Sequence, residues 1–402
     1  MLKQIIFSKF KVHDFYADFV IRRQQSPIFD SINFKTDQAA YQDFDSVKEN
    51  VDTRYSAHYI TYIPTYFIQV KLDKSLKAIP FNRFVGFCIN MEGFDSTEGY
   101  ISKQFGVKSR SKVRSYVRRL ETCFNVSYDM YHGDNLSRGV YDSLFEILEE
   151  MITMRFNQRN DTHQAMGDWD YYKSSTYNLI KDKKASLFVI YDDEKPIDIC
   201  LNYHEHGVFV NHIRAYDIDY SKFRLGYIDI YKQLDWCIEN NYKIFDLGSG
   251  TLTYKEQWCN VTYEFQNLIV YNKKSLRNII FGNLMARLYK LKNFLNSKNI
   301  ISDTEVNKSY NSGVKNDNED ETKHIDFDTM PLEDGKVPNN SIKIDIEHED
   351  YQHLRHAVYD YLYLNFESKK DIAIYKWNNT NDETYILKGS KGIIKFFPKE
   401  QP

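Results

Sequence analysis

The spacing of apolar residues changes period several times along the chain, and each change predicts an element. His58 to Val70 (HYITYIPTYFIQV) and Phe81 to Ile89 (FNRFVGFCI) are rich in β-branched and aromatic residues, which predicts strands. From Ser109 onward Val113, Val117 and Leu120 recur at helical spacing, while Arg110, Arg114 and Arg118 form a separate basic stripe on the same helix. A second amphipathic helix is expected over Val140 to Arg155, with Leu144, Ile147, Leu148 and Met151 on one side. Three strands follow, Ser186 to Tyr191, Pro196 to Tyr203 and Gly207 to Ala215, separated by Asp-Asp-Glu-Lys and His-Glu-His-Gly, so an antiparallel meander is expected. A helix from about Gly226 to Asn240 buries Ile230, Leu234, Cys237 and Ile238. Then come a short strand, Lys243 to Leu247, a Gly-Ser-Gly turn, a strand near Tyr263 to Tyr271 and a helix from Leu276 to about Leu295. The order from Ser186 is therefore β-β-β-α-β-turn-β-α.

Between Ile300 and Asn340 the chain is dense in Asp, Glu, Asn, Ser and Lys and poor in large apolar residues, which predicts a flexible acidic linker. Beyond it, IKIDIE, an aromatic-rich helix from Tyr351 to Tyr363 and strands near Asp371 to Trp377, Thr384 to Leu387 and Gly392 to Phe397 predict a small α+β domain. The expected division is residues 1–125, 126–298, the linker 299–340, and 341–402.

Composition narrows the function classes. With 27% charged and 42% hydrophobic residues the chain has the make-up of a soluble globular protein, and a net charge of −3 gives no bulk attraction to DNA. The first residues lack the apolar run and cleavage site of a signal peptide, and no apolar run is long enough to span a bilayer, so a cytoplasmic protein is expected. Its 5 cysteines, odd in number and widely spaced, predict reduced buried thiols rather than a disulfide framework or a thiolate zinc site. His204 and His206 sit at a hairpin without further ligands, and no metal site is expected.

Candidate chemistry concentrates in Lys243 to Asn260 (KIFDLGSGTLTYKEQWCN). Gly248 and Gly250 permit a sharp turn or close approach of a ligand, and with Ser249 they form a candidate cradle. Asp246, Tyr254 and Lys255 add an acceptor, a weak acid and a cation. Asp246 either accepts a proton from a nucleophile or caps the turn. Tyr254 either donates a proton or packs. The stripe of Arg110, Arg114 and Arg118 either holds substrate phosphates or is a solvated helix face. The helix after Leu276 carries Lys273, Lys274, Arg277, Arg287, Lys290 and Lys292 around apolar residues, a pattern suited to an anionic membrane surface or to packing on the sheet.

Three segments together, SRSKVRSYVRRLE, AYDIDYSKFRLGYID (Ala215 to Asp229) and FDLGSGTLTYKEQW (Phe245 to Trp258), resemble the GNAT acyltransferase superfamily over about Phe105 to Tyr271. The resemblance is to its Fem-like branch, which includes acyltransferases linked to bacterial polysaccharide synthesis. It implies an α+β fold with a GNAT-like mixed sheet flanked by helices, in tandem: a degenerate unit first, then an intact acyltransferase unit. The family's usual phosphate loop is absent; Ser221 to Tyr227 (SKFRLGY) keeps one glycine, and Arg224 and Leu225 stand where the Fem-like branch has a small residue and a proline. By resemblance Gly226 opens a helix whose free N–H groups suit a pyrophosphate, with Lys222 and Arg224 beside it. The matching lysine, Lys255, is implied to stabilise developing negative charge, and His212, on the third meander strand, is either a general base or a core histidine. The implied activity is transfer of an acyl group from acyl-CoA, such as acetyl-CoA, to an amine of a sugar nucleotide or a lipid-linked saccharide precursor. The alternatives are Fem-type transfer from aminoacyl-tRNA to a peptidoglycan precursor, and a non-catalytic scaffold.

Overall fold

The computed structural model describes residues 9–24, 26–36, 51–52, 54–158, 164–250, 253–297, 327–332, 335–378 and 384–398. In chain order its strands are β1 (Phe10–Asp14), β2 (Phe29–Phe34), β3 (Ala57–Pro64), β4 (Ile68–Leu72), β5 (Leu76–Asn90), β6 (Val126–Tyr131), β7 (Ala185–Asp192), β8 (Lys195–Glu205), β9 (Val208–Tyr216), β10 (Ile244–Ser249), β11 (Val261–Asn272), β12 (Phe327–Pro331), β13 (Ser341–Ile344), β14 (Ala373–Trp377), β15 (Thr384–Gly389) and β16 (Gly392–Pro398). Its α-helices are α1 (Thr97–Gln104), α2 (Val107–Cys123), α3 (Arg138–Gln158), α4 (Trp169–Lys181), α5 (Leu225–Glu239), α6 (Thr253–Trp258), α7 (Leu276–Ser297) and α8 (Arg355–Asn365).

Contacts divide the chain into two units: Met1–Gln104 with Tyr203–His212 and Trp236–Asn318, and Phe105–Asn202 with Ile213–Asp235 and Glu319–Pro402. The expected boundary at residues 125 and 126 ran straight across this division. The pairing of β5 gives the reason: its 15 residues are antiparallel to β11 along one edge and to β10 along the other, so elements expected in two domains share one sheet.

In the first unit the strands are ordered β1-β3-β11-β5-β10-β9. β1 is parallel to β3, β11 is antiparallel to β3 and β5, and β10 is parallel to β9, which makes the sheet mixed. The pairing of β10 with β9 is recorded for Ile244, Phe245 and Asp246 against Val208, Phe209 and Val210, and β10 continues to Ser249 without it. α7 covers one face of this sheet, where Met285 and Ala286 pack with Phe10, Tyr59, Phe81, Ile269 and Tyr271.

In the second unit the order is β8-β7-β6. The expected meander is present, turning at Asp193–Glu194 and His206–Gly207, the residues left between the strand ends. β12 to β16 form a separate five-stranded sheet, ordered β12-β16-β15-β14-β13. β12 falls inside the stretch expected to be linker; residues 299–326 and 333–334 of that stretch lie outside the described residues. α8 and this sheet share a core with α2: Leu354, Val358, Tyr359, Leu362, Tyr385 and Phe396 pack with Leu120, Cys123, Phe124, Tyr220 and Phe223. The C-terminal segment is thus built into the unit rather than appended to it.

Candidate functional site

Asp246 is the centre of the first unit's polar chemistry. It lies on β10 opposite Cys88 of β5 and is fully buried. Tyr263 on β11 donates to its Oδ1 at 2.8 Å, Tyr16 donates to its Oδ2 at 2.9 Å, and the Gly248 N–H donates to Oδ1 at 3.1 Å. Burial raises the carboxyl above its ordinary value, and the Tyr263, Gly248 and Tyr16 donors and the charge of Lys255 oppose that rise. Burial, with the Asp246 charge beside them, pushes both phenols well above the usual tyrosine value, so they remain protonated donors. Both carboxylate oxygens are therefore engaged, and Gly248 shows that the turn is capped by this side chain.

Beyond Asp246 the backbone turns through two glycines, with φ of 71° at Gly248 and 100° at Gly250, where a side chain would be strained. Ser249 is exposed between them. Its carbonyl accepts from Nζ of Lys255 at 2.6 Å. Thr251 and Leu252 lie outside the described residues. Between the glycine turn and β11 stands a short helix that the sequence pattern did not predict, α6, which carries Tyr254 half-buried and Lys255 with 7% of its surface exposed. A lysine so buried is not a solvated surface residue; the Ser249 carbonyl takes the place of water at its Nζ. Trp258 anchors the other end of α6 in the core, and its carbonyl accepts from the Tyr100 hydroxyl at 2.5 Å.

His212 lies on β9 two residues past Val210, the partner of Asp246, and meets the ring of Tyr203 edge to face at 5.4 Å. His204 bonds the Tyr242 hydroxyl at 2.7 Å among Phe209, Trp236 and Tyr242, and His206 stacks on Phe34 at 4.9 Å.

The residues expected to hold a pyrophosphate belong to the second unit, where α8 meets them. Lys222 is 3.4 Å from a carboxylate oxygen of Asp360, Ser221 bonds His356 at 3.3 Å, and the Phe223 ring meets Tyr363 at 5.2 Å. Arg224 caps the 3₁₀ turn Ile218–Phe223 in the left-handed region, φ 59°. Gly226 lies under the guanidinium of Arg214 so closely that a Cβ there would collide with it. On α2, Arg118 stands 5.5 Å over the ring of Phe366, so part of the basic stripe is already in contact with the C-terminal segment; Arg114 is exposed and Arg110 half-buried.

Sequence reasoning missed Tyr16, Tyr263 and Gly86. Gly86 on β5 leaves room for the Tyr263 ring, which a Cβ would strike. It also missed a buried group in the second unit: Asp198, Cys200 and Asp229, whose ligand atoms lie within 4.8 Å of one another. Arg214 is 3.2 Å from Asp229, so this group already holds a cation of its own. Burial raises both carboxyls, and repulsion from Asp229 adds to the rise at Asp198. All 5 cysteines are free and buried, as expected.

Residues 107–256 match the family model described as the acetyltransferase (GNAT) domain. Solved structures similar to the chain include FemX, at 11% identity and a TM-score of 0.41 over 57% of this chain and 75% of that one. They also include L-PGS from Bacillus licheniformis, at 15% identity and 0.35 over 57% and 73%. A conserved protein of unknown function from Bacteroides thetaiotaomicron VPI-5482 is similar at 10% identity and 0.37 over 53% and 69%. No curated protein sequence matches the chain. The matched segment runs from α2 through the meander and α5 to the glycine turn and Lys255, and over that segment the chain is similar to the acetyltransferase (GNAT) domain.

Proposed function

We propose that the protein transfers an acyl group from a thioester donor, acyl-CoA, to an amine of a sugar nucleotide or cell-envelope saccharide precursor. The observation that carries this reading is the buried Lys255 ammonium, fixed at the carbonyl of Ser249 beside the glycine turn. Attack of the acceptor amine on the acyl carbonyl develops negative charge on its oxygen. A cation already fixed in a water-poor site stabilises that charge without reorganisation. The tetrahedral intermediate then breaks its carbon–sulfur bond, the amine loses a proton, and the thiolate is released and protonated. Asp246, with no surface to offer a substrate, acts as a positioning residue: its hold on the Gly248 N–H shapes the turn whose Ser249 carbonyl accepts from Lys255. His212 and Tyr254 are the groups left to take the amine proton. Gly248, Ser249 and Gly250 line the approach to Lys255.

A second reading rests on α8. Lys222 and Ser221 are paired with Asp360 and His356, which favours a donor that needs no pyrophosphate grip at that loop, such as an aminoacyl-tRNA. Thermal unfolding with acetyl-CoA, sugar nucleotides and aminoacyl-tRNA separates these readings, because a ligand that binds only the folded chain raises the melting temperature. A rise with acetyl-CoA together with thiol release in the presence of an amine supports the first. A rise with aminoacyl-tRNA alone replaces it with the second, and no rise with any of them removes the enzyme reading.

A further inference from the structure

α7 has two faces of opposite character, and the sheet accounts for only one. On the inner side Met285 and Ala286 are buried, with Ile279, Phe281 and Tyr289 packed beside them. Gly282 lets the helix sit so close to β11 that a Cβ there would strike the Tyr271 ring. On the outer side Leu276, Ile280, Leu284, Leu288, Leu291 and Phe294 are 45–73% exposed. At about 100° per residue these six fall within an arc of roughly 120°, and at about 1.5 Å per residue they run for roughly 27 Å. Six large side chains in one continuous stripe are far more apolar surface than scattered exposed residues produce.

The charges on and beside the stripe choose its occupant: by the same spacing Arg277 and Arg287 fall inside its arc and Lys290 about 40° outside it. Leu276–Ser297 contains no Asp or Glu, and Arg277, Arg287 and Lys290 are exposed on it, with Lys273 and Lys274 exposed just before its start. A second copy of the helix laid against this face would bring the same cations into opposition. An anionic bilayer satisfies both features at once: the leucines enter the boundary between headgroups and acyl chains, while Arg and Lys extend to the phosphates. Among the described residues no helix is long and apolar enough to cross a membrane, so α7 would lie on the surface.

We propose that the outer face of α7 docks this protein on an anionic lipid surface, with the apolar stripe inserted and the basic residues on lipid phosphates. The docking is independent of the acyl-transfer chemistry proposed above and is read without a substrate.

The test is cosedimentation of the full chain with vesicles of phosphatidylcholine alone and of phosphatidylcholine with phosphatidylglycerol. The variants are Ile280→Ser/Leu284→Ser/Leu288→Ser in the stripe and Arg287→Glu/Lys290→Glu in the charges. All five positions are exposed, so melting temperatures should match the parent. The parent is expected to bind the anionic vesicles, to bind less as salt rises, and to lose affinity by about tenfold or more in either variant. Absence of binding by the parent, or binding that both variants retain, overturns the proposal. So does light scattering that shows a dimer dissociated by the stripe variant, which would assign this face to a second copy.

Discussion

The hydroxyl of Tyr16 donates to the carboxylate of Asp246 at 2.9 Å, joining positions 230 residues apart. Together with Tyr263 it makes the anion beside Lys255 a fixed feature of the fold, and this gives the candidate site its testable behaviour.

Replacing Lys255 by Met should slow the chemical step by on the order of 10²-fold, about 3 kcal/mol, with little change in substrate affinity. Because the ammonium is buried against Asp246 and bonded to Ser249, the variant should also lose about 1–3 kcal/mol of stability. The exposed Lys273→Met should change stability by under about 0.5 kcal/mol and leave turnover alone. Turnover in Lys255→Met equal to that in Lys273→Met would take the residue out of the mechanism.

Tyr263→Phe removes one of the two phenols on a fully buried carboxylate and should cost about 1–3 kcal/mol. It should also carry Asp246 further above its ordinary value. An acid whose folded value is raised contributes stability that is present below its unfolded value and lost as pH rises through the folded one. The variant's loss in melting temperature should therefore be larger at pH 8 than at pH 4. Equal losses would mean that the phenol packs without supporting the charge.

His13 and His58 bond each other at 3.1 Å, and burial lowers each from 6.5 to about 4. A histidine depressed in this way contributes stability that is fully present above 6.5 and lost as pH falls through about 4. For His58, 4% exposed, the shift corresponds to about 3 kcal/mol at 1.36 kcal/mol per unit. Melting temperatures of the parent and His58→Phe between pH 7 and pH 4 should converge toward the acid end. Parallel curves would contradict the assignment.

Leu362→Ala, at a fully buried position of α8, should destabilise by about 2–5 kcal/mol, whereas Asp360→Ala, which loses only a partly exposed ion pair with Lys222, should cost under about 1 kcal/mol. Chemical denaturation of both variants tests whether the C-terminal segment shares the core of the second unit. If that segment folds separately, Leu362→Ala should split the unfolding curve into two transitions rather than shift one.

Local periodicity carried much of the fold. The helix around Val113 and Leu120, the three meander strands, α5 and α7 lie within a few residues of their expected limits, because each has an apolar face at one repeating spacing. α4 was not anticipated, although Trp169, Tyr172, Thr176 and Ile180 are buried at helical spacing; its Ser, Thr and Tyr residues are weak helix formers. At the candidate site, Asp246, the two glycines and Lys255 were legible because they are neighbours in sequence. Tyr16, in the helical turn Tyr16–Ile21 after β1, and Gly86, on β5, were not, since only the tertiary fold brings them to Asp246 and Tyr263. The engagement of Lys222 and Arg118 by the C-terminal segment was equally invisible, since their partners Asp360 and Phe366 lie more than a hundred residues downstream and nothing local marks them.

The two edges of β5 also set a timetable. Its partner strands end at Ser249 and Asn272, so a chain emerging from the ribosome carries Leu76–Asn90 with neither edge paired while more than a hundred further residues are made. Contacts so distant in sequence close slowly, and unpaired edges are where nascent chains stick to one another. Production of this protein should accordingly be more sensitive to the speed of synthesis and to chaperone supply than its finished stability would suggest.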